Sequence, residues 1–253
     1  MNNNIIDHLQ PTTILQRFYP TAENTVERLV LDSDTDDRLI LLAHQNGIDL
    51  KKRLILGVTD EAVEITRSTP IGSRTVSSFC VTPSDKQDGF RRMNLRDILE
   101  TNFPEVDALR NEPSYIVKKQ LEEKLPIFTP CCVLIYEESC RTYYPIVYTC
   151  VMDFDILQDD NPNIDFVELK PALEALRHIY YCGRATNGID LFCIVPISTP
   201  QRYAAHARAL IHQFKKQGII IRVADSITHT RTLSSDPSGY FNENAAEFTK
   251  FWD

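Results

Sequence analysis

The sequence has little glycine and no long hydrophobic run, and each shortage excludes a class of protein. Only 8 of the 253 residues are glycine, which argues against flexible glycine-rich linkers and low-complexity segments. No apolar run approaches the roughly 18–20 residues that a membrane-spanning helix needs. The first residues lack a basic leader and a signal-type apolar core, so export is not expected. The composition, 43% hydrophobic and 25% charged, is typical of a globular protein.

Familiar catalytic and metal-binding motifs are also missing. The seven cysteines include the adjacent Cys131 and Cys132, but no CxxC or Cys/His spacing predicts a zinc site. His178 and His229 have no evident partner, and we interpret them as surface or packing residues. No GxSxG, HExxH, P-loop or GxGxxG pattern is present. Reduced thiols in a cytoplasmic protein are the simplest interpretation.

The charge distribution is uneven. A net charge of −8 argues against a general polyanion binder, because the overall field would repel nucleic acid. Between residues 199 and 231, however, a single acid, Asp225, stands among six cations: Arg202, Arg208, Lys215, Lys216, Arg222 and Arg231. A solvated helix face and a phosphate-binding surface both explain this segment.

Hydrophobic periodicity predicts an α+β chain with a small N-terminal α/β extension over residues 1–72 and a main domain over residues 73–253. The extension includes a predicted strand at Ala62–Ile65. The main domain is predicted to contain strands at 75–81, 146–155, 179–182, 191–197 and 219–223, and helices at 115–124, 171–178 and from 199 to a cap at Gly218. In its C-terminal part the order strand, helix, hairpin, helix, strand favours a mixed sheet with helices on one face.

Two DxD sequences could bind a cation. Asp32, Asp34 and Asp36 fit the first positions of a calcium loop, but Asp37 replaces the turn glycine and Ala43 replaces the terminal glutamate. We therefore interpret this segment as a solvated acidic turn that leads into a helix.

The second DxD ends an apolar strand. Asp153 and Asp155 alternate along it, so both carboxylates lie on one face, roughly 6–7 Å apart. Such a pair can hold a divalent cation with phosphate oxygens as further ligands. Strand-end aspartates also cap turns, so the local sequence leaves both interpretations open.

From about residue 75 onward the chain resembles the primase-like domain of the VirE N-terminal family, which occurs in replication proteins of Bacteroides-type mobile elements and phages. The landmarks follow one another in order: Lys118-Lys119, Lys124-Leu125-Pro126, Phe128-Thr129-Pro130, Asp153-Phe154-Asp155, Tyr181-Cys182-Gly183 through Gly188 to 191–197, Thr230 to Pro237, Tyr240-Phe241-Asn242 and Ala245-Ala246. Together they extend across some 180 residues. The family is similar to archaeo-eukaryotic primase-polymerases.

The resemblance implies a two-metal nucleotidyltransferase on a sheet of RNA-recognition-motif type, acting in DNA replication. Asp153 and Asp155 would be catalytic and would bind Mg²⁺ or Mn²⁺. A turn around Arg184, Asn187 and Gly188 would approach phosphate, and Arg231 would lie beside it. The implied partners are single-stranded DNA or nucleotides, with a replicative helicase or another protein as a further candidate, and no membrane.

The chain departs from the family pattern in two places. The serine- and glycine-rich turn keeps Gly188 but gains Asp190, a negative charge where triphosphate would lie. The third metal-binding aspartate falls on Arg222, whose fixed charge repels a metal, and Asp225 is the candidate substitute. We therefore expect a degenerate enzyme that is weak or inactive. The alternatives are a non-catalytic binder that uses Arg202, Arg208, Lys215, Arg222 and Arg231, or a protein-interaction scaffold.

Overall fold

The fold is described from a computed structural model, which covers residues 60–79, 91–137, 142–234 and 236–252. Most of the predicted N-terminal extension, including the acidic turn at Asp32, Asp34 and Asp36, lies outside the described residues. Within them, the helices are α1 Asp60–Ser68, α2 Leu95–Glu100, α3 Pro104–Asn111, α4 Tyr115–Glu122, α5 Phe166–Glu174 and α6 Tyr203–Lys215. None of these helices has the length and apolarity that a membrane span requires.

The strands of the described residues form two sheets and a separate hairpin. They are β1 Thr75–Phe79, β2 Arg91–Asn94, β3 Ile127–Thr129, β4 Cys132–Glu137, β5 Thr142–Tyr148, β6 Val151–Ile156, β7 Tyr181–Arg184, β8 Leu191–Pro196, β9 Arg222–Val223, β10 Arg231–Thr232 and β11 Tyr240–Phe241. The sheet orders are β11-β7-β8-β6-β9 and β10-β3-β1-β2, and β4 pairs with β5.

The five-stranded sheet contains a split β-α-β arrangement. Its chain order is β6, α5, β7, β8, α6, β9, and its lateral order β9-β6-β8-β7 places β6 between β8 and β9. In this arrangement each helix connects two strands that are separated by a third. The α+β class and the order of elements are confirmed, but the named strands pair antiparallel, so the expectation of a mixed sheet was wrong.

Both faces of the five-stranded sheet are covered. On one face, Met152, Phe154 and Ile156 of β6 pack in a single core with residues of α5 and α6. On the other face, Val151, Phe192 and Ile194 share a core with residues of β1 and β3. The sheet therefore lies between a helical layer and the four-stranded sheet, and β6 presents alternate side chains to each.

The predicted single strand over residues 146–155 is two strands, because the chain turns sharply at Cys150. Cys150 has a φ of 54°, a left-handed conformation that is uncommon for a residue other than glycine. Arg74, which is buried, donates to the carbonyls of Thr149 and Cys150 at 3.2 and 3.1 Å, and the Ile197 amide donates to Cys150 O at 3.0 Å. These bonds hold the corner that carries the chain from the β4-β5 hairpin into the five-stranded sheet.

Several helix boundaries differ from the sequence prediction. Helix α5 begins at Phe166, ahead of the predicted start at Pro171, because the Asp165 carboxylate accepts the Val167 amide at 2.8 Å and caps it. After Thr199 the chain forms a short 3₁₀ helix, Pro200–Arg202, and α6 begins at Tyr203.

Two predicted strands were also wrong. The predicted buried strand 219–223 is reduced to the two residues of β9, and Ile220 is 53% exposed. The segment Ala62–Ile65 is helical and belongs to α1. Arg67 of this helix forms a two-bond ion pair with Glu247, with distances of 2.6 and 2.5 Å, so residues before the predicted boundary at 73 contact the C-terminal part.

Candidate functional site

The two aspartates of the second DxD lie on β6, on the face opposite the helices. Strand β6 is paired on both sides, with Asp153 opposite Ile194 of β8 and Asp155 opposite Arg222 of β9. Asp153 is only 2% exposed, whereas Asp155 is half-buried. The predicted position of the pair on an interior strand is therefore confirmed.

Arg231 of β10 bridges the two carboxylates. Its Nη1 lies 3.1 Å from Asp153 Oδ2 and 3.1 Å from Asp155 Oδ2, and its Nη2 donates to Asp155 Oδ1. The guanidinium carbon also lies 3.6 Å from the centre of the Phe192 ring, so the plane stacks on an aromatic face. With a side chain only 13% exposed, Arg231 is a buried counter-ion.

The other oxygen of Asp153 faces a cysteine and a histidine. Asp153 Oδ1 lies 3.4 Å from Cys131 Sγ and 2.8 Å from His229 Nε2. One ligand atom from each residue falls within 4.8 Å of the others, an arrangement that could hold a metal ion. Asp153 thus contacts Arg231 through Oδ2 and the pair of Cys131 and His229 through Oδ1.

Burial and the neighbouring charges act against each other at this site. Burial favours the neutral form of Asp153, but its contacts with His229 and the charge of Arg231 outweigh burial and lower its pKa. Burial likewise opposes the charged His229, yet the contact with Asp153 raises its pKa. For Arg231, Asp155 and Asp153 outweigh burial and raise the pKa. Arg231 therefore supplies a fixed positive charge to the two carboxylates, and His229 adds a second only when it is protonated.

An open cavity of about 490 Å³ lies above the pair. Asp153, Asp155, His229 and Arg231 line it, and Ala185, Thr186, Asn187 and Asp190 from the turn between β7 and β8 line another part. The cavity is large enough for a small ligand. Both aspartates of the pair therefore face this cavity.

The predicted phosphate-binding turn lies beside the cavity, but its polar groups are engaged with one another. Asn187 Oδ1 accepts the amides of Ile189 and Asp190, both at 3.0 Å, and Asn187 Nδ2 donates to Asp190 Oδ2 at 2.6 Å. Gly188 has a φ of 76°, which suits the tight turn. The Arg184 backbone amide donates to Asp236 at 2.8 Å. Asn187 therefore organises this turn, and Asp190 is bound within it.

Two further predicted site residues, Arg222 and Asp225, differ in position, because only Arg222 reaches the cavity. Arg222 lines the cavity but is mostly exposed and binds Asp160 through two bonds of 2.6 and 2.8 Å. Asp225, the candidate third metal ligand, is exposed and is not among the residues that line the cavity.

The three predicted nucleic-acid contacts, Arg202, Arg208 and Lys215, also lie outside the cavity. Arg202 stacks on Phe251, 3.6 Å from the ring centre, and Arg208 donates to the carbonyl of Trp252 at 2.9 Å. Lys215 is exposed at the end of α6. These cations therefore belong to a second surface, formed by α6 and the C-terminal segment.

Sequence reasoning missed Cys131 and His229. They are separated from Asp153 by 22 and 76 residues, so no local spacing marks them as a group. The sequence shows no partner for His229, and the structure supplies one, because its Nε2 lies 2.8 Å from Asp153 Oδ1. One feature of the sequence could have indicated His229. The family resemblance places Arg231 beside phosphate, and His229 lies two residues before it.

Comparison of the chain with protein-family models, curated proteins and solved structures found no match.

Proposed function

We propose that this chain is a primase-polymerase-like protein of mobile-element or phage DNA replication that is weak or inactive as a nucleotidyltransferase. One observation carries the proposal: the two aspartates that would hold the catalytic Mg²⁺ or Mn²⁺ are bridged by Arg231 of the same chain. A guanidinium at this position supplies the positive charge that metal ions would otherwise supply.

The topology supports the first half of the proposal. The order β6-α5-β7-β8-α6-β9 with lateral order β9-β6-β8-β7 is the one expected of a sheet of RNA-recognition-motif type and so supports the proposed fold. The DxD lies on the first strand of this unit and on the face away from the helices, beside a cavity. A primase-like site would use that face for nucleotide.

The charges support the second half. Two-metal catalysis clamps the attacking and leaving oxygens between two cations held by carboxylates. Here Arg222 lies opposite Asp155, where the family pattern has a third carboxylate, and Asp225 does not line the cavity. Asp190 adds negative charge at the cavity wall. The DxD thus offers two carboxylates, both already paired with Arg231.

Primer extension tests this proposal. Wild type and Asp155→Asn are compared on a primed template with Mg²⁺ and, separately, with Mn²⁺, by incorporation of labelled nucleotide. We expect wild type to incorporate no more than the variant, because Arg231 holds the pair. Robust incorporation by wild type that Asp155→Asn abolishes would contradict the claim of degeneracy.

A second candidate function is non-catalytic binding of single-stranded DNA, and the surface around Trp252 favours it. Trp252 is 52% exposed, and His212 packs edge-on against it with ring centres 4.4 Å apart. Phe251, also exposed, lies under Arg202. Exposed aromatic rings beside cations are the elements on which single-stranded nucleic acid stacks.

The only tryptophan in the sequence makes this surface directly measurable. Single-stranded DNA that stacks on Trp252 should quench the intrinsic fluorescence, and log affinity should fall linearly with log salt. Arg208→Ala should reduce that salt slope by about one phosphate contact, whereas Lys119→Ala, at an exposed cation of α4, serves as the control. Absence of quenching and of DNA binding at low salt would leave the protein-interaction scaffold as the remaining alternative.

A cytoplasmic location is part of the proposal. The five cysteines of the described residues, Cys131, Cys132, Cys150, Cys182 and Cys193, are free and buried, which is the expected state in a reducing compartment.

A further inference from the structure

The cluster on the inner side of Asp153 consists of Cys131 Sγ, Asp153 Oδ1 and His229 Nε2. We propose that these three atoms form a mononuclear site for a zinc-class divalent cation, with the fourth coordination position open to the cavity. The proposal goes beyond the carboxylate pair and does not depend on nucleotidyl transfer, because Asp155 is not one of its ligands.

The spacing of the three atoms fits such a cation. With bonds of about 2.3 Å to sulfur and 2.0 Å to oxygen or nitrogen, tetrahedral ligands are about 3.5 Å apart for sulfur and oxygen and about 3.3 Å apart for nitrogen and oxygen. The corresponding distances are 3.4 Å from Cys131 to Asp153 and 2.8 Å from His229 to Asp153. The distance between Cys131 Sγ and His229 Nε2 is within 4.8 Å. Binding therefore requires that the imidazole move outward from Asp153 by about 0.5 Å and that this third distance come to about 3.5 Å.

The orientation of His229 points to the same chemistry. Its Nδ1 lies 2.8 Å from the carbonyl oxygen of Ser226, and a carbonyl only accepts, so Nδ1 carries the hydrogen. A neutral ring then presents the lone pair of Nε2 to a carboxylate oxygen 2.8 Å away. Two acceptors at that distance need a proton or a metal cation between them. Metal-binding histidines are held in this way, with the other ring nitrogen bound to a carbonyl.

The chemical nature of the ligands selects the class of metal. Magnesium and calcium prefer ligand sets made of oxygen alone, whereas a thiolate, an imidazole and a carboxylate together suit zinc and its first-row neighbours. The thiolate and the carboxylate balance a doubly charged ion. Arg231, bound to Asp153 Oδ2 at 3.1 Å, leaves Oδ1 for the metal and fixes the carboxylate from outside the coordination shell.

The burial of the three ligands leaves one direction open. Cys131 is fully buried, whereas Asp153 and His229 line the cavity. A cation between them would be covered by protein on the cysteine side and exposed to the cavity on the other. Three protein ligands with a fourth position free for water or a small molecule are characteristic of reactive zinc sites.

Binding of Co²⁺ tests the site, because a Co²⁺ ion that is coordinated by a thiolate has a charge-transfer absorption in the near ultraviolet. The band therefore reports whether Cys131 is a ligand. The full chain is freed of metal under reducing conditions, titrated with Co²⁺ and then with Zn²⁺. We expect one equivalent of Co²⁺ to produce the charge-transfer band and tetrahedral visible bands, and Zn²⁺ to displace it. No stoichiometric binding, or binding without the sulfur band, overturns the proposal.

Matched variants identify the ligands. Cys131→Ser should abolish the band, while Cys132→Ser, at the adjacent buried cysteine that contacts the carbonyl of Ile227, should retain it. His229→Gln should weaken binding by more than the roughly 10–100-fold typical of outer-shell partners. If Cys131→Ser does not fold, as judged by circular dichroism, His229→Gln decides. Unchanged affinity in that variant overturns the proposal.

Asp155→Asn separates this site from the proposed function. It should retain the cobalt spectrum with an affinity within a few-fold of wild type. Primer extension that depends on Asp155 would contradict the degeneracy proposed above and leave the cobalt result standing. Absence of cobalt binding would refute the metal site alone.

Discussion

The two faces of the five-stranded sheet are buried by different kinds of contact. Toward the helices, β6 presents Met152, Phe154 and Ile156, which pack against residues of α5 and α6. Toward the four-stranded sheet, the same strand presents Val151, followed by Asp153 and Asp155, which Arg231 bridges, and Asp153 also contacts His229. The first face is held by apolar contact, which is non-directional, whereas the second combines an apolar core with paired charges, which depend on each partner.

This difference indicates which amino-acid substitutions each face tolerates. Volume-conserving apolar substitutions on the helix face lose little, because packing is shared among many neighbours. On the charged face, the loss of one partner leaves another charge buried, and buried unpaired charge is costly. The charged face is therefore expected to tolerate fewer substitutions than the helix face. It is also the face whose stability a bound cation or phosphate can change.

The largest effect is expected on the helix face. Phe154 is fully buried, with its ring centre 5.1 Å from that of Phe214. Phe154→Ala should reduce the free energy of unfolding by about 3–5 kcal/mol, because it removes a buried ring and leaves a cavity. Urea denaturation measures this. The control is Ile220→Ala, at an exposed apolar residue, which should change stability by less than about 0.5 kcal/mol.

On the charged face, Arg231→Met should cost about 3 kcal/mol of unfolding free energy, since it leaves Asp153 and Asp155 without their cation. The double variant Asp155→Asn with Arg231→Met should be less destabilised than Arg231→Met alone, because one of the unpaired charges is removed. Thermal or urea unfolding of the three proteins measures this coupling. Additive effects of the two substitutions would show that the charges on this face are not balanced as a group.

A smaller effect is expected where a single carboxylate organises a turn. Asp236 accepts the amides of Arg184 and Ser238 at 2.8 and 2.9 Å and the Ser238 hydroxyl at 2.7 Å. Burial opposes its charge, but these hydrogen bonds prevail and lower its pKa. Asp236→Asn should cost about 1 kcal/mol at neutral pH, after allowance for solvent screening.

The pH dependence of that cost has a definite sign. Because the folded-state pKa of Asp236 lies below its unfolded value, its stabilisation is present above that unfolded value, about 3.9, and is lost as the pH falls through the folded value. The gap in stability between wild type and Asp236→Asn should therefore close in acid. Asp159→Asn, on an exposed loop, is the control, and a gap that stays constant with pH would contradict the assignment.

The smallest effect is expected at the exposed pair of Arg222 and Asp160. Although its two bonds of 2.6 and 2.8 Å are short, exposed ion pairs contribute little and are screened by salt. Arg222→Gln should leave the urea midpoint indistinguishable from wild type at high salt. A large loss would mean that Arg222 belongs with the buried network rather than with the surface.

The sequence alone predicts the parts of the fold that depend on periodicity. The order strand, helix, hairpin, helix, strand and the interior position of Asp153 and Asp155 follow from alternation and from apolar runs. In α6, Leu210 and Phe214 are four positions apart and so share a helix face, and both are buried, whereas Ile211 is exposed.

The errors arise where tertiary contacts decide. The corner at Cys150 depends on Arg74, distant in sequence, so the apolar run over residues 146–155 gives no sign of a break. Pro171 suggested a helix start, but Asp165 caps the helix earlier and the proline lies inside it. The cluster of Cys131, Asp153 and His229 is assembled by three separate segments, and no single-sequence pattern reports that proximity.

The buried Arg74 has a consequence for how this chain can be divided. Besides the two carbonyls at the Cys150 corner, its guanidinium binds the carbonyls of Thr69 and Arg67, both at 3.2 Å. One side chain thus satisfies backbone from both sides of the boundary at residue 73 that the sequence predicts. A shortened protein that begins at residue 73 would keep Arg74 but remove two of its four carbonyl acceptors. Residues 60–72 are therefore better treated as part of the main domain than as a separate N-terminal extension.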